Sequence, residues 1–592
     1  MLKEDNTGAK ISGKAGKVTG EMPVDTGAEA FVTLLNANNT DYIFMNPGTD
    51  TLSIQEALSK FKAIGKDVPT PILCLDESEA MAAAHGYFMV SGKPQVVLVH
   101  VDLGTQQVGG ALHNAQRGRI GVILCAGRSP SIFEGEKVGG RSSAIMWWQE
   151  QFDQAGVVRN YIKWDYELRF NENIHHVIQR AFQVASTEPC GPVYLVLPRE
   201  VLMERIEKVQ ILNTTRYKAT STPQADNKML TEAAKMLLQA ENPLIITGYS
   251  GRHTHSVASL VELAETLGAR VITSEIRMNF PNTHPLCSGI DSTPYIAQAD
   301  IILVIDHDVP YVPTMARPNP DAKIIHIDID PIKQTMPMWG FPVDISLQAD
   351  SSKAIPVLTE IIRQRVTPQQ QSHFQARFRQ YQSENEQLQA KWRDLAVTKA
   401  EQRPISPEWL SHCIAEVVDE DTIILNEVIT NRASLAHQIQ RTKPGTSFSS
   451  GGSNLGWGLG AALGAKLAAP DKTVVSLMSD GCFLFGCPTE TLWAADVYHA
   501  PFLCIIFNNE GYNAVRTHLR NAFGKDNFAE KDSFFAGLDI TPPPNYALIA
   551  QASNAYGETV QEPSDVKTAL RRALERVKSG KAAVLDIRIE KA

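Results

Sequence analysis

The residues with the plainest chemical purpose lie between Ser476 and Val515, in SLMSDGCFLFGCPTETLWAADVYHAPFLCIIFNNEGYNAV. An apolar run, TVVSLM, stops at Ser479-Asp480-Gly481, and a second, FLCIIF, stops at Asn508-Asn509-Glu510-Gly511. A carboxylate at Asp480, an amide oxygen at Asn509 and an unobstructed carbonyl at Gly511 form an oxygen donor set with one formal negative charge. Such a set suits Mg²⁺ when the phosphates of a ligand complete the coordination. The same short strings also serve as ordinary turns at strand ends. Position favours the metal: the intervening segment has helix length and apolar residues at helical spacing (Leu492, Ala495, Val497-Tyr498), so the stretch predicts a βαβ unit. A right-handed crossover brings both strand ends to the carboxyl edge of a parallel sheet, where such sheets bind ligands. Asp480 and Asn509, 29 positions apart, are therefore expected to meet.

The elements that must position these residues form three blocks. From Met22 to Glu200, short apolar runs ending in loops (YIFMNPG, PILCLDE, VVLVHVD, GVILCAG, VYLVLPRE) alternate with segments of helical spacing. A linker follows at 201–226, rich in Thr and Ser towards its end. The second block, 227–365, repeats the rhythm with PLIITG, RVITS, IILVI and KIIHIDID, and a glutamine-rich helical connector spans 366–403. The third, 404–592, runs from TIILNE through the Gly-rich helix GGSNLGWGLGAALGAKLAA and the metal stretch to AAVLDIRI. The fold class is α/β: three domains with mainly parallel sheets flanked by helices. Residues 1–21, polar and containing acids, read as a disordered tail rather than a transit peptide.

At 592 residues the chain has room for several cores, and a net charge of −9 spread along it indicates no surface for nucleic acid or anionic lipid. No apolar run is long enough to span a bilayer. Eight cysteines without a Cys-x-x-Cys pair read as reduced core residues of a cytoplasmic protein.

The Asp-Gly to Asn-Asn spacing and the three α/β blocks together resemble the thiamin diphosphate (ThDP)-dependent 2-oxo acid decarboxylase and acetolactate synthase-like superfamily. Its members carry a pyrimidine-binding, a central and a diphosphate-binding domain in this order. The resemblance implies that Asp480, Asn509 and the Gly511 carbonyl bind Mg²⁺ on the diphosphate, flanked by Gly481, Cys482 and Tyr512. Ser479 departs from the pattern, where the family has glycine. ThDP chemistry needs an acid that protonates the aminopyrimidine, and in the family it lies nine residues before a Gly-Tyr pair. Gly86-Tyr87 selects Glu77. Its neighbours Asp76 and Glu79 read as favourable charges at a helix N-terminus, whereas Glu77, between the strand PILCL and an Ala/Met-rich helix, is open to desolvation. Leu455, 25 residues before Asp480, matches the apolar prop that bends the cofactor, and the Ser453 carbonyl matches its amino-group acceptor. Asn426, Thr430 and Asn431 match the loop that receives the diphosphate.

NPGTDT, HVDLGTQQVGGALHNA and KWDYE look most like benzoylformate decarboxylase, which places Thr49 and His100 at a catalytic serine and histidine. Thr49 also fits a plain turn. The second active-site histidine of that enzyme falls near Pro313, with His307 nearby but not aligned, and His518 replaces a pocket phenylalanine. His85, His113, His499 and His518 are expected at the surface or bordering the site. The implied activity is decarboxylation of a 2-oxo acid through a C2-carbanion/enamine mechanism, with His100 as proton carrier, in a homodimer or homotetramer. An acetolactate synthase-like carboligase is the alternative. A non-catalytic ThDP-binding regulatory relative is opposed by Glu77, Asp480 and Asn509 occurring together. FAD in the central domain rests only on ITGYSGRHTH, a weak nucleotide-loop string, and is not favoured.

Overall fold

The computed structural model describes residues 19–591. Three parallel sheets dominate it. The first has the order Thr70–Leu73, Tyr42–Met45, Gln95–Val99, Val122–Arg128, Val193–Pro198, Asp165–Glu167. The second runs Arg270–Thr273, Pro243–Thr247, Ile301–Ile305, Lys323–Asp328, Ile345–Gln348. The third runs Ser447–Phe448, Ile423–Glu427, Val474–Ser479, Leu503–Asn508, Ala583–Arg588, Tyr556–Val560. Pairing within all three is parallel throughout. Helices cover both faces, so the central strands are continuous apolar runs rather than alternating ones. Every residue of Leu503–Asn508 is buried.

The first and third sheets are joined through two helices, Glu77–Ser91 and Trp457–Ala468, which bury small-residue faces against each other within one continuous core. An added Cβ on Gly86 would strike the Ala461 carbonyl, one on Gly464 the Ala83 carbonyl, and one on Gly460 would lie 2.7 Å from the Ala82 Cβ. Glycine at these positions lets the backbones approach closely. The connector forms one long helix, Pro368–Thr398, opened by a capping box on Thr367 and anchored through buried Phe374 and Tyr381.

Three details differ from the sequence reading. Of the tail expected at 1–21, residues 1–18 lie outside the described residues, while Gly20 and Glu21 belong to a strand, Gly20–Pro23. That strand pairs antiparallel with Lys208–Ile211, inside the stretch expected as a linker. Polar composition hid both because a two-stranded ribbon at the surface needs only one apolar residue in two. The single helix expected between TVVSLM and FLCIIF is two, Asp480–Phe485 and Pro488–Val497. Pro488 cannot continue a helix, since it lacks an N–H, so it starts a new one after Cys487, whose φ is +46°. In consequence Val497 is exposed, whereas Leu492 and Ala495 are buried.

Candidate active site

The strands Val474–Ser479 and Leu503–Asn508 are adjacent and parallel, with Ser479 opposite Phe507, so their carboxyl ends bring Asp480 and Asn509 together as expected. Asp480 is fully buried at the start of its helix, and its Oδ2 accepts from the Gly511 N–H at 2.9 Å. Its Oδ1 has no partner, and neither does the Oδ1 of Asn509, which is 2% exposed, or that of Asn513. Burial pushes the Asp480 carboxyl up to about 6. Three buried, unpartnered oxygens, one of them on the carboxylate itself, are what a bound cation would satisfy. Among the described residues no group of three His, Cys, Asp or Glu side chains could hold an ion. A carboxylate and amide oxygens are hard donors of the kind that suits a cation shared with a ligand's phosphates. Gly511 closes the loop: its carbonyl accepts from the Asn513 N–H at 3.0 Å, and a Cβ there would collide with the Leu538 carbonyl. Gly481 admits the Tyr512 ring, which an added Cβ would meet at 3.1 Å, and Cys482 is buried. Behind them Asp586, a residue the sequence reading passed over, holds Asn508 through a 2.6 Å hydrogen bond.

The acids at 76, 77 and 79 separate by environment. Asp76 caps the helix Glu77–Ser91, accepting from the Ser78 N–H at 2.7 Å. Glu79 is 3% exposed, with one oxygen accepting from Leu75 N–H and the other unpartnered, and burial raises its pKa to about 8. Desolvation, expected at Glu77, thus falls on Glu79. Glu77 is half-buried, and its Oε1 faces the small residue Gly104, where an added Cβ would lie 3.0 Å away.

In the loop expected to receive a diphosphate, Asn426 donates to Glu275 at 3.1 Å and accepts from the Val428 N–H, while Thr430 and Asn431 are half-buried. The adjoining Glu427 receives the first amides of Trp457–Ala468, from Trp457 at 3.0 Å and Gly458 at 2.7 Å, and so caps that helix. Ser453 is exposed and its hydroxyl meets His113 Nε2 at 3.1 Å; Leu455 packs against the shared core.

His100 ends the strand Gln95–Val99 and its Nδ1 lies 2.5 Å from Asp50 Oδ1. That hydrogen bond holds the imidazole above its ordinary pKa. Thr49 is exposed, and only its carbonyl is engaged, accepting from Arg199 at 3.4 Å. Asp50, one residue on, is the group of NPGTD that reaches His100. An acid following a strand-end turn on the same sheet edge was the signal available for it. His85, expected at the surface or near the site, is fully buried, with both ring nitrogens unpartnered against Trp457. Ala/Gly neighbours hid this, because a helix packed on small residues encloses whatever side chain shares the face. His499 and His518 are exposed, and His307 is pushed down to about 4 by burial beside Gly248. In ITGYSGRHTH, Arg252 is already engaged by Glu188 and Asp306, at 2.9 and 2.5 Å, which accounts for its charge without a nucleotide.

Residues 25–157 match the family model for the N-terminal TPP binding domain of thiamine pyrophosphate enzymes, residues 230–358 the central domain, and residues 429–587 the C-terminal TPP binding domain. The probable acetolactate synthase large subunit of Methanocaldococcus jannaschii is 25% identical, over 96% of this chain and 92% of its own length. The benzoylformate decarboxylase of Pseudomonas aeruginosa is 25% identical, over 82% of this chain and 86% of its own. The solved Rhodococcus jostii RHA1 thiamine diphosphate-dependent 4-hydroxybenzoylformate decarboxylase superposes with a TM-score of 0.76 at 22% identity, covering 96% of this chain and 99% of that one. With the domain order, the sheet topology and the converging oxygen donors in agreement, the chain belongs to the thiamine pyrophosphate enzyme family and is an enzyme.

Proposed function

We propose that this enzyme is a ThDP- and Mg²⁺-dependent lyase that decarboxylates a 2-oxo acid and releases an aldehyde. The observation that carries this reading is the imidazole of His100, held by Asp50 at the carboxyl edge of the first sheet. ThDP, when bound, supplies a carbon nucleophile for the substrate carbonyl and accepts the electron pair as carbon dioxide leaves. Asp480, Asn509 and the Gly511 carbonyl would hold Mg²⁺ on the diphosphate, with Gly481, Cys482 and Tyr512 around it and Asn426, Thr430 and Asn431 on the facing loop. Glu77 would hold and return a proton at the aminopyrimidine N1′, the Ser453 carbonyl would accept from its amino group, and Leu455 would support the ring. His100 would deliver the proton that completes the aldehyde, and Thr49 would contact the substrate at the mouth.

Large exposed apolar side chains, Trp148, Phe152, Phe528 and Phe534, support assembly as a homodimer or homotetramer with sites between subunits. Eight free cysteines support a cytoplasmic location. Among the described residues no helix is long and apolar enough to cross a membrane.

A second reading, an acetolactate synthase-like carboligase joining the decarboxylated fragment to a second carbonyl, is favoured by the relative that spans nearly the whole chain. Product chromatography with one 2-oxo acid donor and one aldehyde or 2-oxo acid acceptor separates the two. Under the decarboxylase reading the wild type releases mainly aldehyde. His100→Ala slows that release by roughly 10- to 1000-fold, at or below the usual range for acid–base groups, and raises the share of coupled product. A wild type making mainly coupled product, in a ratio unchanged by His100→Ala, establishes the carboligase.

A further inference from the structure

Asp50 is 3% exposed, and its carboxylate is the meeting point of three strand ends in the first sheet. It follows Tyr42–Met45, its Oδ1 lies 2.5 Å from Nδ1 of His100 at the end of Gln95–Val99, and its Oδ2 packs against Gly127 in Val122–Arg128. An added Cβ on Gly127 would strike that Oδ2, and one on Gly48 would strike the His100 ring. The same Oδ2 accepts from the Val101 N–H at 3.1 Å. Val101 has φ +32°, a conformation that β-branched residues rarely adopt. Two glycines without room for a side chain, a strained valine and a buried carboxylate thus enclose the Asp50–His100 pair, in which the His100 side chain is 23% exposed.

We infer that Asp50 is a positioning residue for His100, holding the imidazole by Nδ1 so that Nε2 alone is presented for proton exchange. The inference rests on the reading of His100 as proton carrier. In the step it serves, the Nε2–H bond breaks and the proton joins the carbon that has lost carbon dioxide. That carbon contributes the electron pair, and a neutral imidazole remains with its Nδ1–H still donated to Asp50. The other polar groups around the pair are few. Asp102 is buried, its Oδ2 accepting from Gln106 and Gln151 at 3.1 and 3.0 Å, and it adds to the field that favours the imidazolium, as does the buried amide of Gln149. Arg199 and Tyr194 lie on the Asp50 side, Arg199 bound to the Thr49 carbonyl and Tyr194 to Thr105 and Gln154.

The test is nuclear magnetic resonance of ¹⁵N-histidine-labelled, full-length protein loaded with Mg²⁺ and ThDP, with His100→Asn assigning the His100 signals. Neutral His100 in the wild type is expected as the Nδ1–H tautomer. Asp50→Asn is expected to lower its titration midpoint by about one to three pH units and to move the alkaline limb of kcat/KM downward by the same amount. An Nε2–H tautomer in the wild type overturns the inference, as does an unshifted midpoint in Asp50→Asn. Full aldehyde release by His100→Asn overturns the proton-carrier reading itself, and the tautomer measurement tells that failure apart from a failure of Asp50 to position the ring.

Discussion

Replacing Asp480 by asparagine should stabilise the metal-free protein while abolishing cofactor binding. The carboxyl is fully buried, and its Oδ1 has no partner. Burial moves it from an ordinary 3.8 to about 6. That is a displacement of about two pH units, and at 1.36 kcal/mol per unit the ionised form costs the folded state about 3 kcal/mol. The sign follows from proton binding: the folded carboxyl holds its proton more tightly than the unfolded one, so stability falls as pH rises from about 3.8 to about 6 and the whole cost is present above it. Asparagine removes the charge and keeps an oxygen for the Gly511 N–H. Metal-free Asp480→Asn should therefore unfold several degrees above wild type at pH 7.5, with the gap closing near pH 4. Differential scanning calorimetry across that range reads the effect, and titration calorimetry should show Mg²⁺-dependent ThDP affinity lost. A variant no more stable than wild type at pH 7.5, or one that binds Mg²⁺ and ThDP as before, refutes the reasoning.

The acids of the helix Glu77–Ser91 should part company in kinetics. Glu77→Gln should lower kcat by roughly 10²–10⁴-fold, the range of a positioned acid–base group, with ThDP still bound. Glu79→Gln should cost little at pH 7, because a carboxyl raised to about 8 is already mostly protonated there and the amide copies its shape. Rate measurements at pH 7 on both variants decide between them; a larger loss at Glu79 would transfer the proton role to it. Gly464→Ala should destabilise the junction of the first and third sheets by about 1–3 kcal/mol, the usual cost of overpacking, since its Cβ would meet the Ala83 carbonyl. A denaturant midpoint equal to wild type would show that the helices can part without loss.

Much of this protein was legible in its sequence, for a physical reason: strands buried on both faces of a parallel sheet must be continuous apolar runs. VVLVH, GVILCAG, IILVI, TVVSLM and FLCIIF all announce themselves, and once they are read as parallel the crossover rule alone brings Asp480 to Asn509. Besides the surface ribbon, the strands that stayed hidden, Asp165–Glu167, Ile345–Gln348, Ser447–Phe448 and Tyr556–Val560, all sit at sheet edges, where one side needs no apolar partner. The tertiary structure decided what depends on neighbours distant in the chain. Glu77 and Glu79 are alike as letters, and only tertiary packing buries one and leaves the other half-buried. Asp50 meets His100 across two strand ends, and His85 vanishes between two helices, because burial and hydrogen bonding are set by which surfaces meet and not by residue type.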